Sequence, residues 1–117
     1  DDLDRHQAVL YASPNTDRVE PFEWVEHGAV RTRDVPGRMT VNGAEAYIAC
    51  CLAGLGIIQI PAYDVRRHLA DGSLVEVLPD HRAEPMPMWL LFPHRRHLPR
   101  RTRLFGDWLA QVLAEAM

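Results

Sequence analysis

GRMTVNGAEAYIACCLAGLGIIQIP, residues 37–61, reads as a strand, a capped helix, a glycine stop, a buried strand and a proline that opens a second helix. Val41 ends an extended run, and Asn42 stands where a helix N-cap should stand. Its side-chain oxygen can accept from the orphan amides of the first turn, while Glu45 can reach back to the Asn42 amide, the reciprocal arrangement of a capping box. Ala44 to Ala53 is a strong helix former, and Gly54 supplies the left-handed residue that ends it. Ile57, Ile58 and Ile60 are β-branched and nearly continuous, as in a strand covered on both faces. Pro61 suits the first position of the next helix. A strand-to-helix turn of this kind points free backbone amides at whatever sits above the sheet, so the stretch is suited to binding and shows no chemistry beside it.

Upstream, Ala8-Val9-Leu10-Tyr11 is a short apolar strand ended by the turn cluster Ser13-Pro14-Asn15-Thr16-Asp17. Phe22–His27 and Ala29–Val35, broken by Gly28, alternate in polarity and predict a hairpin with one wet face. Arg38–Val41 is the strand that feeds the quoted stretch. Downstream, Ala62–Ala70 is a short helix with Val65 and Leu69 on one face, stopped by Gly72. Leu74–Leu78 reads as a strand, Pro79–Pro87 as a polar loop, and Met88–Phe92 as a buried strand. The last helix, about Arg100–Ala116, sets Leu104, Phe105, Trp108, Leu109, Val112 and Leu113 on one stripe. Such a stripe needs a partner surface, which predicts that the helix folds back on this chain's own sheet or docks on a second copy. Strands alternating with helices point to an α/β fold with a mixed sheet.

The 117 residues are one domain's worth, and an apolar share of 47% predicts a packed core. No apolar run approaches the ~18–20 residues of a membrane span, and the opening Asp-Asp-Leu-Asp-Arg-His is no signal peptide. The absence of an initial Met suits a piece of a longer protein. Cys50 and Cys51 are adjacent within a helix and face different directions, so no disulfide framework exists and a reducing cytoplasm fits best. Residues 1–93 carry 8 Arg against 14 acids, and residues 94–117 carry 5 Arg against 2. The net charge of −3 argues against a dedicated nucleic-acid-binding surface.

The residues able to carry chemistry do not assemble. Gly54-Leu55-Gly56 follows a helix and precedes a strand, the reverse of a dinucleotide turn, so no cofactor is expected. His94 and His97 are spaced i, i+3, but no acid or Cys lies nearby to complete a metal shell, and neighbouring Arg repel a cation. Ser13 and Ser73, the only serines, sit outside any nucleophile elbow. The chain reads as a non-enzyme. Around Pro99, the run Arg95–Arg103 puts cations at a helix N-terminus, against the macrodipole. It reads as a solvated basic turn, with a hold on an anion or acidic partner as the sharper alternative.

Taken in order, Asn42-Gly43-Ala44-Glu45-Ala46, Ala53-Gly54-Leu55-Gly56-Ile57 with Ile60-Pro61, Asp71–Val75 with Val77–Asp80, Phe92–Leu98, Arg103-Leu104-Phe105 and Asp107-Trp108-Leu109 resemble the C-terminal half of the effector-binding domain of LysR-type transcriptional regulators. The resemblance covers roughly residues 5 to 113. It implies a lobe like those of type II periplasmic binding proteins, with a mixed sheet flanked by helices. About residues 6–87 would form the second lobe, and about 88–117 the closing strand and helix that return toward a first lobe. It further implies a bacterial, cytoplasmic regulator that senses a small-molecule effector (co-inducer) in the cleft between lobes. That regulator would be a homo-oligomer, contacting DNA only through an N-terminal winged helix-turn-helix. In the resembled family a Ser often caps the last helix where Pro99 stands here.

Geometry and resemblance together select Asn42, Gly43 and Ala44 after one strand, and Ile60, Pro61 and Ala62 after another, because ligands gather at strand C-termini and helix N-termini. Tyr11 and Ser13 follow the first strand. Free amides there favour an anionic effector such as a carboxylate. The competing readings are a lobe of a periplasmic-type solute-binding protein serving transport, and an interaction module that only oligomerises.

Overall fold

The computed structural model of the chain describes residues 2–86, 88–92 and 98–116. The order of elements is a 3₁₀ turn at Asp2–Arg5, then β1 (Ala8–Tyr11), β2 (Phe22–Glu26), β3 (Ala29–Arg33), β4 (Gly37–Val41), α1 (Ala44–Leu52), α2 (Ala62–Asp71) and α3 (Arg100–Ala116). Two compact units result, Asp1–Glu84 and Pro85–Met117. The class is α/β, with the parallel and antiparallel pairings held in two separate two-stranded ladders.

In the first unit β1 is the centre. It pairs in parallel with β4, Val9 opposite Met39 and Tyr11 opposite Val41, with an irregularity between Ala8 and Val9. On its other side Ile57 forms a parallel bridge with Ala8, its amide donating to the Gln7 carbonyl and its carbonyl accepting from Val9, both at 3.0 Å. Backbone on both sides leaves little room. A Cβ at Gly56 would lie 2.8 Å from the Gln7 carbonyl oxygen and the Ala8 carbonyl carbon, and one at Gly37 would collide with the Ala8 carbonyl. Two glycines are therefore what let three segments pack side by side. Val9 is 0% exposed, and Ala8, Val35, Tyr47 and Val65 complete the small core. Burying Val9 stabilises by roughly 1.5–3 kcal/mol. Ile58 and Ile60 are half-buried and lie outside any strand, so the expected buried strand contracts to the single bridge at Ile57.

The β2–β3 hairpin turns on two residues, His27 and Gly28, at φ 51° and 77°. Both are left-handed, as a two-residue turn matched to strand twist requires. Residues of β2 are all half-buried and those of β3 mostly exposed, so burial differs from strand to strand and does not alternate along either, and the single wet face expected from the alternation is not found. With Glu26 and Ala29 flanking the turn, alternation of bonded and non-bonded pairs directs the backbone groups of Val25 and Glu23 outward from the ladder. Both find partners. The Val25 amide donates to the Arg82 carbonyl at 3.0 Å. The Gln59 side chain takes the place of a strand beside Glu23, its Oε1 accepting from the Glu23 amide at 3.0 Å and its Nε2 donating to the Glu23 carbonyl at 2.6 Å.

Three expectations are corrected here. Asn42 does not cap α1: the cap residue is Gly43, in extended conformation, with no side-chain hydrogen bond. The first helical bond runs from the Tyr47 amide to the Gly43 carbonyl at 3.0 Å, so Asn42 stands one residue too early to reach the first turn as a cap. Leu74–Leu78 forms no strand. Leu78 has φ 55°, its carbonyl accepts from His81 at 2.9 Å, and Glu76 and Arg82 join across the bend at 2.7 and 2.9 Å. A left-handed residue breaks extended geometry, so the segment becomes a strap whose Arg82 carbonyl serves β2. Met88–Phe92 is neither a strand nor buried, with Trp89 76% and Leu91 89% exposed. A strand needs a neighbouring ladder, and no strand among the described residues pairs with it.

Both glycine stops are as expected. Gly54 has φ 83°, its amide donates to the Cys51 carbonyl and that of Leu55 to Cys50, each at 3.0 Å, a Schellman closure. Gly72 ends α2 at φ 81°. In the second unit α3 has the expected bounds. The Pro99 carbonyl accepts from Thr102 and Arg103 at 3.0 and 3.1 Å, doing with the backbone what a Ser side chain would add to. Phe105 and Trp108 pack ring on ring at 5.8 Å, and Gly106 lies under the Phe92 ring. Leu104, Phe105 and Trp108 are each more than half exposed, so the second unit by itself does not bury the stripe. The basic residues Arg95 and Arg96 lie outside the described residues.

Candidate functional site

Because β1 and β4 are parallel, their C-terminal ends share one edge. Tyr11 and Val41 are directly opposed there, and the Ala12 amide donates to the Val41 carbonyl at 2.8 Å. Asn42, Gly43 and Ala44 follow at once, Asn42 and Ala44 exposed and Gly43 half-buried. The parallel bridge at Ile57 gives the third segment the same direction, and three residues later half-buried Ile60 and Pro61 lead into α2. Pro61, at φ −58°, is the cap residue of that helix, one position before the first-turn place expected of it.

Ser13 lies in a loop that folds back on the same edge. The Glu20 amide donates to the Tyr11 carbonyl at 2.8 Å, and Ala12 bridges Val19. Ser13 itself is committed to this loop. Its amide donates to Arg18, its carbonyl accepts from Asp17 at 2.7 Å, and its Oγ accepts from the Asn15 amide at 3.4 Å. Tyr11, Ser13, Asn42, Gly43 and Ala44 are thus brought to one end of the parallel ladder. None of the eight selected residues lines either of the two cavities described below.

The support beneath this edge is Tyr47, which sequence patterning did not single out. It is 4% exposed, its ring meets Tyr11 at 5.2 Å with planes at 52°, and its Oη accepts from the Gln59 amide at 2.9 Å. Burial pushes its pKa up, outweighing the downward pull of the Gln59 hydrogen bond. Its position three and four residues from Ala44 and Gly43 was the available signal, since that spacing stacks it on the first turn. Gln59 was equally silent, a polar residue in an isoleucine run. One chain of contacts therefore joins Tyr11, Tyr47, Gln59 and the hairpin at Glu23.

One cavity, of about 500 Å³, opens at the other end of the ladder beside His6, Arg38 and Gly54–Ile57. The second, about 280 Å³, lies on the hairpin face at Phe22, Trp24 and Leu78. Cys50 and Cys51 are free thiols, and burial raises the Cys51 pKa, which disfavours the reactive thiolate. Among the described residues no three His, Cys, Asp or Glu gather as a metal site, and no helix is long and apolar enough to cross a membrane. His94 and His97 lie outside the described residues.

Comparison with known proteins gives this geometry a family. Residues 1–114 match the model of the LysR substrate binding domain. The chain is 45% identical over 115 residues to the uncharacterized HTH-type transcriptional regulator YhjC of Escherichia coli (strain K12), covering 98% of this chain and 38% of that protein. It is 33% identical over 98 residues to the HTH-type transcriptional regulator PtxR of Pseudomonas aeruginosa, covering 80% and 30%. Among solved structures, the regulatory domain of AphB from Vibrio vulnificus, treated with cumene hydroperoxide, matches with a TM-score of 0.70 and 30% identity, over 94% of this chain and 53% of that one. The chain spans 38% and 30% of the length of the two curated relatives named here. On the family match along nearly its whole length, and on relatives that are transcriptional regulators, this chain belongs to the LysR substrate-binding domain family.

Proposed function

We propose that this chain is the effector-sensing part of a bacterial, cytoplasmic transcriptional regulator. A small molecule binds at Tyr11, Ser13, Asn42, Gly43, Ala44, Ile60 and Pro61, in a cleft completed by a first lobe that the longer protein supplies. About residues 6–87 make the second lobe, and about 88–117 return toward the first. The effector is held by backbone amides and takes part in no reaction. DNA is reached only through a winged helix-turn-helix elsewhere in a homo-oligomer, and effector binding biases that oligomer through a difference in affinity between its states.

The observation that carries the reading is the beginning of α1 directly past the C-terminal edge of the parallel ladder, with no side chain hydrogen-bonded to its cap. Three first-turn amides without an intrahelical partner, together with the positive end of the helix dipole, favour an anion such as a carboxylate. The regulators among the relatives favour a sensor over a transport lobe. A thermal-shift screen of small carboxylates against the full chain and the longer regulator tests this: a ligand at 100 times its Kd adds about 2.7 kcal/mol. Asn42→Asp, which puts a negative charge beside the amides, is expected to weaken such a ligand at least tenfold. A stabilising ligand whose backbone NMR shifts avoid residues 11–13, 42–44 and 60–61 would sink the proposal.

A further inference from the structure

A second binding place is suggested by the hairpin. Phe22, Trp24 and Glu26 alternate along β2 and so share one face, and Arg33 stands opposite Phe22 on β3. On that face lies the cavity of about 280 Å³, closed on another side by Leu78 and His81 of the strap. Two aromatic side chains and Leu78 supply apolar wall, and a few charged groups stand among them, the composition expected of a small-molecule site.

The charges decide which molecule. Arg33 is already held, its guanidinium 2.7 Å from the Asp4 carboxylate. Glu26 is held loosely: the Trp24 indole N–H reaches Oε2 at 3.4 Å, and Arg31 reaches the same oxygen at 4.0 Å. Both contacts fall on Oε2, and among the described residues Oε1 has no protein partner. The charge with capacity to spare is therefore a carboxylate, and it stands beside an indole whose face attracts cations. The strap is also set for the role. Leu78 takes φ 55°, a left-handed conformation that side chains rarely adopt, and the Glu76–Arg82 pair and the bond from Val25 to Arg82 hold the bend closed against β2.

We propose that this cavity binds a small organic monocation, an ammonium group on an aryl or alkyl body. The ammonium meets Glu26 Oε1 and the Trp24 ring while the body lies along Phe22 and Leu78. The site is separate from the effector edge and does not depend on it.

The test is a titration of the ¹⁵N-labelled full chain with phenethylammonium chloride, followed by NMR. Saturable shifts of the Trp24 indole N–H and of the Leu78 and His81 amides are expected, with residues 42–44 unmoved. Glu26→Gln should weaken binding at least tenfold, and Glu26→Lys should abolish it. Phenylpropanoate, of similar size and opposite charge, should bind at least tenfold more weakly than the ammonium. Equal binding of the anion, an unchanged Kd in Glu26→Gln, shifts confined to other residues, or no saturable shift at all would each overturn the assignment.

Discussion

Replacing Gln59 by Ala removes a side chain that acts as one rung of a sheet. Its amide makes two hydrogen bonds to Glu23, at 3.0 and 2.6 Å, where the outward backbone groups of β2 have no strand beside them. Each bond is worth about 1 kcal/mol net, and leaving half-buried Glu23 groups unpaired adds to that, so the loss should be about 2–3 kcal/mol. For a chain of this length that lowers the melting temperature by roughly 6–15 °C. Two compact units make a single global transition a poor readout, so the decisive assay is amide hydrogen exchange. The Glu23 amide, and the hairpin amides with it, should lose protection while α1 keeps its own. Gln59→Glu retains an acceptor for the Glu23 amide but faces the Glu23 carbonyl with a carboxylate, and should recover no more than half of the loss. If Gln59→Ala leaves both melting temperature and Glu23 exchange unchanged, the clasp holds nothing and the reasoning fails.

Three further outcomes are expected. Tyr47→Phe strips the acceptor from the Gln59 amide and should cost about 1–2 kcal/mol in urea unfolding. Because burial raises the Tyr47 pKa, the unfolded chain ionises first, so this contribution is whole below pH 10.0 and is lost as pH climbs through the folded-state value. The alkaline decline in stability should be shallower in Tyr47→Phe than in the parent. Gly56→Ala sets a methyl 2.8 Å from backbone atoms of Gln7 and Ala8 and should destabilise by at least ~1–3 kcal/mol, read from chemical denaturation. Trp108→Gln, at a side chain 56% exposed, should change the stability of the chain by less than about 1 kcal/mol, whereas Val65→Ala, in the core, should cost more.

Local chemistry was largely legible. The strand Ala8–Tyr11, the helix Arg100–Ala116 and the left-handed stops at Gly54 and Gly72 follow from period and backbone preference, and all are found. Partnership was not legible. Leu74–Leu78 and Met88–Phe92 have the composition of strands, but a strand exists only where another backbone lies alongside, which composition does not report. The cap shifted from Asn42 to Gly43 because the capping pattern tolerates a one-residue slide and the intrahelical bond to Gly43 fixes which frame is real. Of the candidate edge, Tyr11 and Asn42–Ala44 were readable from the order of strand and helix. Tyr47 and Gln59 were not, since their duties come from neighbours 12 and 36 positions away in the chain.

The placement of the hairpin bears on the order in which the molecule assembles. β1 and β4 are partners separated by residues 12–36, a span of 25, and β2 with β3 lies wholly inside it. A two-residue turn lets that inner ladder zip within microseconds, long before distant segments meet. Once zipped, its ends sit together and only about half of the span remains as slack, easing ring closure by about 0.6 kcal/mol. The least buried ladder in the molecule is then the one that gathers its most deeply buried strand, a folding duty that static contacts alone would not suggest.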